Sequence, residues 1–208
     1  MSLKKGIIFD LDGTLWDSTE MITVAWQEVV SKHGLNRDLS VDEVKSCMGL
    51  PMDEIFKKLL PNVSDDVRKD IQTDCQNYEN EYLSKNCGRL YPKIGETLAA
   101  LKERGYHLYI VTNSQDGYVE AFLKSSGFCD MFDDYEMYGR TLLKKDENIR
   151  LVVERNKIDS ALYVGDTYWD YKAATAAGID FVHAAYGFDN SDFTDVKISS
   201  FSDLLNVV

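Results

Sequence analysis

Phe9-Asp10-Leu11-Asp12-Gly13-Thr14-Leu15-Trp16-Asp17-Ser18 follows directly on the apolar run Gly6-Ile7-Ile8-Phe9. A short, continuous apolar run of this kind predicts a buried β-strand over residues 5–10. Residues i and i+2 of an extended segment point the same way, so Asp10 and Asp12 share a face where the strand leaves its sheet. Gly13-Thr14 then lets the backbone turn sharply at little steric cost. Two carboxylates so close must share a proton or take up a cation, because keeping both charged is costly. The stretch predicts a reactive site at a strand end.

Outward from it, the chain divides into two rhythms. From about Asp17 to about Gly88 the pattern is helical and polar, with Met21-Ile22, Ala25-Trp26 and Val29-Val30 recurring at helical spacing. Further helices are expected from Val41, over Met52–Leu60 and over Val67–Leu83, punctuated by Pro51 and Pro61. After Tyr91-Pro92 strands and helices alternate. Helices are expected over Glu96–Arg104, Gly117–Ser125, Asp146–Arg155 and Tyr171–Ala177. Strands are expected over Tyr106–Val111, Tyr135–Tyr138, Ala161–Val164 and Asp180–Ala184. Near-continuous apolar strands separated by helices predict an α/β fold with a parallel sheet covered on both faces. Residues 1–16 and 89–208 are expected to form this core, and residues 17–88 an inserted helical unit hinged near Trp16 and Gly88–Pro92.

Three polar groups then fall at equivalent places. Asp10 ends the first strand, Thr112-Asn113-Ser114 closes another, and Gly165-Asp166 follows Leu162–Val164. Open parallel sheets bind ligands outside the carboxyl ends of their strands, so the three converge on one site. A carboxylate placed like Asp10 can attack phosphorus and form an aspartyl-phosphate, dividing one hard displacement into two. Asp12 can protonate the leaving oxygen and then take a proton from water. Gly13, Thr112 and Asn113 are candidate phosphate-binding positions, since hydroxyls and N–H groups at helix starts attract anions. Lys145, or its neighbour Lys144, can supply the fixed positive charge. Asp166 at its strand tip suits a hard cation, and Asp170 can orient metal water or pair with the lysine. Mg²⁺ takes one or two protein carboxylates together with water and phosphate oxygens. Asp10, Asp12, Asp166 and Asp170 are its candidate ligands, Asp12 through its backbone carbonyl.

These residues carry a family resemblance. Asp10-Leu11-Asp12-Gly13-Thr14, the strand ending Ile110-Val111-Thr112-Asn113, the lysine before a helix and Gly165-Asp166 through Asp170 are similar, in order, to the four motifs of the haloacid dehalogenase (HAD) superfamily. The match is to its phosphoglycolate phosphatase-like branch and covers essentially the whole chain. It implies a Rossmann-like core, a helical cap inserted after the first motif, Mg²⁺ dependence and an aspartyl-phosphate intermediate. Asp12 argues against dehalogenase and phosphonate-cleaving members, which lack that second aspartate. Two departures stand out. Lys145 is followed by Asp146 where many relatives have proline, and Tyr91-Pro92-Lys93 replaces a common Tyr-Pro-Gly. The expected activity is Mg²⁺-dependent hydrolysis of a small phosphomonoester. Sugar-phosphate mutase chemistry and a non-catalytic phospho-binding role are the alternatives. Met48-Gly49-Leu50-Pro51-Met52 is the candidate substrate-facing cap segment; Trp16, Tyr168 and Trp169 adjoin the motifs and could line the entrance, but packing at the core–cap seam is the favoured reading.

Composition sets limits. The chain has 208 residues, 44% hydrophobic and 28% charged, which suits an ordinary soluble protein. A net charge of −12 repels phosphate backbones, so a nucleic-acid partner is not expected, while divalent cations are favoured. No apolar stretch approaches the roughly 20 residues of a membrane span. No secretory leader is expected ahead of the first strand. Cys47, Cys75, Cys87 and Cys129 form no C-x-x-C pair and are expected as reduced thiols in the cytoplasm. His33, His107 and His183 are assigned surface or packing roles. The expected partner is a small phosphorylated metabolite, and the protein a monomer or homodimer.

Overall fold

The computed structural model describes residues 3–50 and 52–208. Met1, Ser2 and Pro51 lie outside the described residues, so Pro51 is left out of the helix boundaries and of the candidate cap segment. Strand β1 (Lys5–Phe9) leads into a two-residue β2 (Trp16–Asp17) and then four helices, α1 (Thr19–Lys32), α2 (Val41–Lys45), α3 (Met52–Leu59) and α4 (Asp65–Leu83). The chain continues through β3 (Arg89–Leu90), α5 (Ile94–Glu103), β4 (His107–Thr112), α6 (Tyr118–Ser126), β5 (Asp134–Met137) and α7 (Tyr138–Thr141). It closes with α8 (Lys145–Asn156), β6 (Ser160–Gly165), α9 (Tyr168–Ala177), β7 (Asp180–Ala184), β8 (Lys197–Ile198) and a 3₁₀ turn, Phe201–Asn206.

The six longer-range strands form one sheet in the order β5-β4-β1-β6-β7-β8, and every pairing is parallel. The chain is thus α/β, with a Rossmann-like sheet and an inserted helical cap. The period-2 rule shows directly at the central strand. Ile7 and Phe9 pack with Leu108, Ile110 and Phe201 on one face. Ile8 packs with Tyr109, Val111, Ile149 and Tyr163 on the other. Because both faces are covered, the strand is apolar throughout rather than alternating.

In the insertion, the helical stripe of Ile22, Trp26, Val29 and Val30 is buried, and α1 packs chiefly on α4. Trp26 and Phe56 meet with ring centroids 5.0 Å apart. The two chain crossings between insertion and sheet lie side by side, because β2 and β3 pair antiparallel, Trp16 with Leu90 and Asp17 with Arg89. That ladder and β8 are two residues long, too short to show a period in sequence.

Two local features differ from expectation for identifiable reasons. Helix α9 starts at Tyr168, three residues before the expected Tyr171. Thr167 caps it, accepting from the Asp170 N–H (3.2 Å) while the Asp170 carboxylate accepts from the Thr167 N–H (3.0 Å). Lys93 stands at φ 61°, the left-handed conformation that a glycine adopts freely. A lysine there costs about 1 kcal/mol, and the turn keeps its shape regardless.

Candidate active site

The carboxyl ends of β1, β4 and β6 gather the expected residues. The Asp10 N–H donates to the Val164 carbonyl (2.9 Å), which continues the β1–β6 ladder by one step and fixes Asp10 beside Gly165-Asp166. Lys145 opens α8 and turns inward. Its Nζ donates to Asp10 Oδ1 (3.0 Å) and Asp170 Oδ1 (2.6 Å). Lys144, the N-cap of α8, is exposed. Asp10, Asp166 and Asp170, all buried, each bring one carboxylate oxygen within 4.8 Å of the others.

Asp12 does not join them through its side chain. Its Oδ1 accepts from the Tyr118 hydroxyl (2.8 Å) and from Ser18 Oγ. Of the four acids proposed as ligands, three carboxylates cluster and the fourth faces a separate pair of hydroxyls. Gly13 takes φ +81° and presses on Asp166, so a β-carbon there would collide with that carboxylate. Thr112 is buried at the end of β4, and Thr112 and Asn113 line the same cavity as Asp10 and Asp12.

The trio is short of positive charge. Asp166 Oδ2 accepts from the Phe188 N–H (2.7 Å), but Asp166 Oδ1 is buried without a partner. Buried polar atoms are rarely left so. Three buried carboxylates against one ammonium, with an oxygen unpaired, form an all-oxygen donor set that suits a hard divalent cation. The titration behaviour agrees. Burial, and then the neighbouring Asp170, push the Asp10 carboxyl up to about 7 despite Lys145. Burial also raises Asp166 well above the ordinary range, helped by Asp170 and Asp10. Burial works against the Lys145 charge, but Asp10 and Asp170 outweigh it and hold the ammonium above its ordinary value. Asp12 is lifted by burial to about 6, with the Ser18 and Tyr118 hydroxyls opposing the rise.

A small cavity of about 80 Å³ opens over these groups. Met48, Gly49, Leu50 and Met52 of the cap line it, as does Trp169. Trp16 is fully buried, as the packing reading expects, edge-on to Phe122 with centroids 4.9 Å apart, because its place on β2 turns it into the core. Tyr168 packs against Phe193 rather than the cavity. His183, remote from the motifs in sequence, is buried with Nε2 3.2 Å from the Asp166 carbonyl and 3.0 Å from the Asp189 carbonyl. It bridges the loops after β6 and β7.

Several neighbours had no place in the motif reading. Ser18 lay inside the quoted stretch, and Tyr118 begins the helix after Thr112-Asn113-Ser114, so position could have suggested both. Glu79 gave no signal. It comes from α4, is 2% exposed and lines the cavity. Its Oε2 accepts from Trp26 Nε1 (2.5 Å) and its Oε1 from Gln115 Nε2 (3.0 Å). Burial raises its pKa from 4.5 to about 8, opposed by the Gln115 and Trp26 hydrogen bonds and aided by Asp12.

That shift predicts a pH trend in stability. Between the unfolded value near 4.5 and the folded value near 8, the folded chain keeps a proton that the unfolded chain has lost. Stability from this group therefore falls as pH rises through that window. Glu79→Gln removes the group, so thermal melts of the chelated protein should show the variant gaining on wild type from pH 5 to pH 8. One of the two donors loses its acceptor in the variant at every pH, so the trend and not the offset is the test. A pH-independent difference in Tm would contradict the assignment.

Comparison with known proteins places this geometry in a family. Residues 7–184 match the model of haloacid dehalogenase-like hydrolases. A phosphoglycolate phosphatase of Vibrio parahaemolyticus is 28% identical, with 98% of this chain and 96% of that protein covered. One from Aquifex aeolicus is 29% identical over 97% and 95%. The crystal structure of a predicted phosphoglycolate phosphatase from Haemophilus somnus superposes with a TM-score of 0.87 at 27% identity, covering 100% of this chain and 99% of that one. The chain belongs to the haloacid dehalogenase-like hydrolase family and is an enzyme of its phosphatase type.

Proposed function

We propose that the enzyme is a Mg²⁺-dependent phosphomonoesterase that hydrolyses a small phosphorylated metabolite through an aspartyl-phosphate on Asp10. The observation that carries this is the Lys145 bridge between Asp10 and Asp170 beside the unpartnered Asp166 oxygen, under a cavity that Asp12 also lines. An Asp10 oxygen attacks phosphorus as the bond from phosphorus to the leaving oxygen breaks. Asp12, lifted by burial toward neutrality, gives its proton to that leaving oxygen. Ser18 and Tyr118 hold Asp12 in place for it. Asp12, now a carboxylate, takes a proton from water as the water attacks phosphorus, and Asp10 is released. Lys145 steadies the attacking carboxylate, and Thr112 and Asn113 offer a hydroxyl and N–H groups to the phosphoryl oxygens, while Gly13, without a β-carbon, leaves room for the Asp166 carboxylate.

Asp10 and Asp166, with Asp170 behind, are the residues that would hold Mg²⁺; the Asp12 backbone carbonyl is a fourth candidate donor. When bound, the ion offsets the clustered charge and polarises phosphoryl oxygens. Chelation should therefore lower hydrolysis of p-nitrophenyl phosphate by at least about 100-fold, and Mg²⁺ should restore it. Saturating Mg²⁺ should also raise Tm, since it binds the folded state alone. Full turnover in chelator would overturn the metal assignment.

We assign residues 1–16 and 89–208 to the catalytic core and 17–88 to the cap, with the β2–β3 ladder as the hinge. No helix among the described residues is long and apolar enough to cross a membrane. A small-metabolite substrate suits action in the cytoplasm.

A further inference from the structure

Glu79 is a buried acid that the proposed chemistry does not use. It sits in the cap wall of the cavity, across from the carboxylates of the core. The two donors that reach Glu79 are already engaged with it. The single indole N–H of Trp26 goes to Glu79, and Gln115 Nε2 donates to both Glu79 Oε1 (3.0 Å) and Asn80 Oδ1 (3.2 Å). The remainder of the cap wall is apolar, including Ile22, Met48, Met52 and Ile55.

Positive charge is scarce here. Among the described residues lining the cavity, Lys145 is the cation, facing the side chains of Asp10, Asp12, Asp166 and Glu79. Lys145 is tied to Asp10 and Asp170. Lys144 lines the wider outer cleft, but so do Asp53, Glu54 and Asp116. Lys45, a cap lysine outside the lining, stands over the Phe188 ring and 4.0 Å from Asp17. A substrate carries its phosphate to Asp10, and its tail then lies against Glu79. A carboxylate at the end of that tail would be buried without a cation opposite it, which is costly. Above pH 8, where Glu79 is ionised, a hydroxyl or an ammonium would find an acceptor already fixed in place.

Given the phosphatase reading above, on which this rests, we propose that Glu79, held by Trp26 and Gln115, selects the substrate's tail. The enzyme takes phosphomonoesters with a short tail that carries hydrogen-bond donors and no negative charge, and it rejects carboxylate tails. Its preference therefore departs from the phosphoglycolate named for its relatives.

The test compares kcat/KM of the Mg²⁺-loaded enzyme at pH 9, where Glu79 is ionised, on glycerol 1-phosphate, phosphoethanolamine and 2-phosphoglycolate, with p-nitrophenyl phosphate as reference. Wild type should favour the first two over 2-phosphoglycolate by about tenfold or more. Glu79→Gln should narrow that ratio by about fivefold or more, through a lower KM for 2-phosphoglycolate relative to the other esters. A buried acid that merely props the cap would alter all four substrates alike and leave the ratio fixed. A wild-type preference for 2-phosphoglycolate, or an unmoved ratio in the variant, overturns the proposal. If no ester is turned over, p-nitrophenyl phosphate included, the phosphatase reading itself fails. Calorimetry of the Asp10→Asn protein with Mg²⁺ then decides tail selection alone. Tighter binding of glycerol 1-phosphate supports it, and tighter binding of 2-phosphoglycolate refutes it.

Discussion

Asp10→Asn is expected to lower kcat/KM for p-nitrophenyl phosphate by about 10⁴-fold or more, the scale of losing a nucleophile outright. An amide oxygen cannot form a stable link to phosphorus here, yet it can still accept from Lys145. The Asp10 N–H to Val164 carbonyl bond is a backbone contact and survives the change. Removing one of three clustered acids also relieves repulsion from Asp170, so the variant should melt no lower than wild type in chelator. Steady-state kinetics with near-ultraviolet circular dichroism check both halves. Appreciable turnover by a correctly folded variant would exclude Asp10 as the nucleophile.

Lys145→Met should be the next most damaging change. Methionine approximates the length and shape of the lysine stem without its charge. Activity should fall by about 10²–10³-fold, because the charge steadying Asp10 and the phosphoryl group is lost. Stability should fall too, by about 3 kcal/mol at pH 8, since two buried carboxylates lose their shared counter-ion. The sign of the pH dependence follows from the acids. Asp10 already has a folded pKa raised from 3.8 to about 7 by burial and Asp170, and losing Lys145 raises it further. A carboxyl raised on folding destabilises the folded state as pH climbs past its unfolded value, until the folded value is reached. Lys145 in wild type, raised above its ordinary value, keeps its charge throughout that range. The Tm gap between wild type and variant in chelator should therefore widen from pH 5.5 to pH 8. An equal gap at both would show that Lys145 is not the counter-ion of the acids.

Adjacent lysines show where sequence stopped short. Sequence favours Lys145 over Lys144 only because it starts the Lys-Asp-Glu-Asn-Ile run at the helix entry, and the choice depends on where α8 begins. Lys144 is the extended N-cap and points to solvent, while Lys145 is the first helical residue and points to Asp10. One residue of phase reverses direction, and no local signal of charge or hydrophobicity fixes that phase. Asp12 is similar. Its place at the strand exit was plain, but its partners are Ser18, six residues on, and Tyr118, on a different helix. Trp16 adjoins the motif, so an entrance role is open to it, but packing is the favoured reading and the structure bears it out. The β2–β3 ladder, made with residues more than seventy positions away, turns it into the core.

By itself, the sequence determined the sheet, the inserted helices and the strand ends that carry Asp10, Thr112 and Asp166. Those depend on period, apolar runs and turn residues, all local properties of the chain. Tertiary structure alone decided which carboxylates cluster, which lysine bridges them, and that Glu79 lines the cavity. Glu79 is one acid among several on a polar helix. Its burial arises from Trp26, 53 residues earlier, and Gln115, 36 residues later. Burial and charge environment are set by what folding brings opposite a side chain, and so they have no signature in the residues beside it.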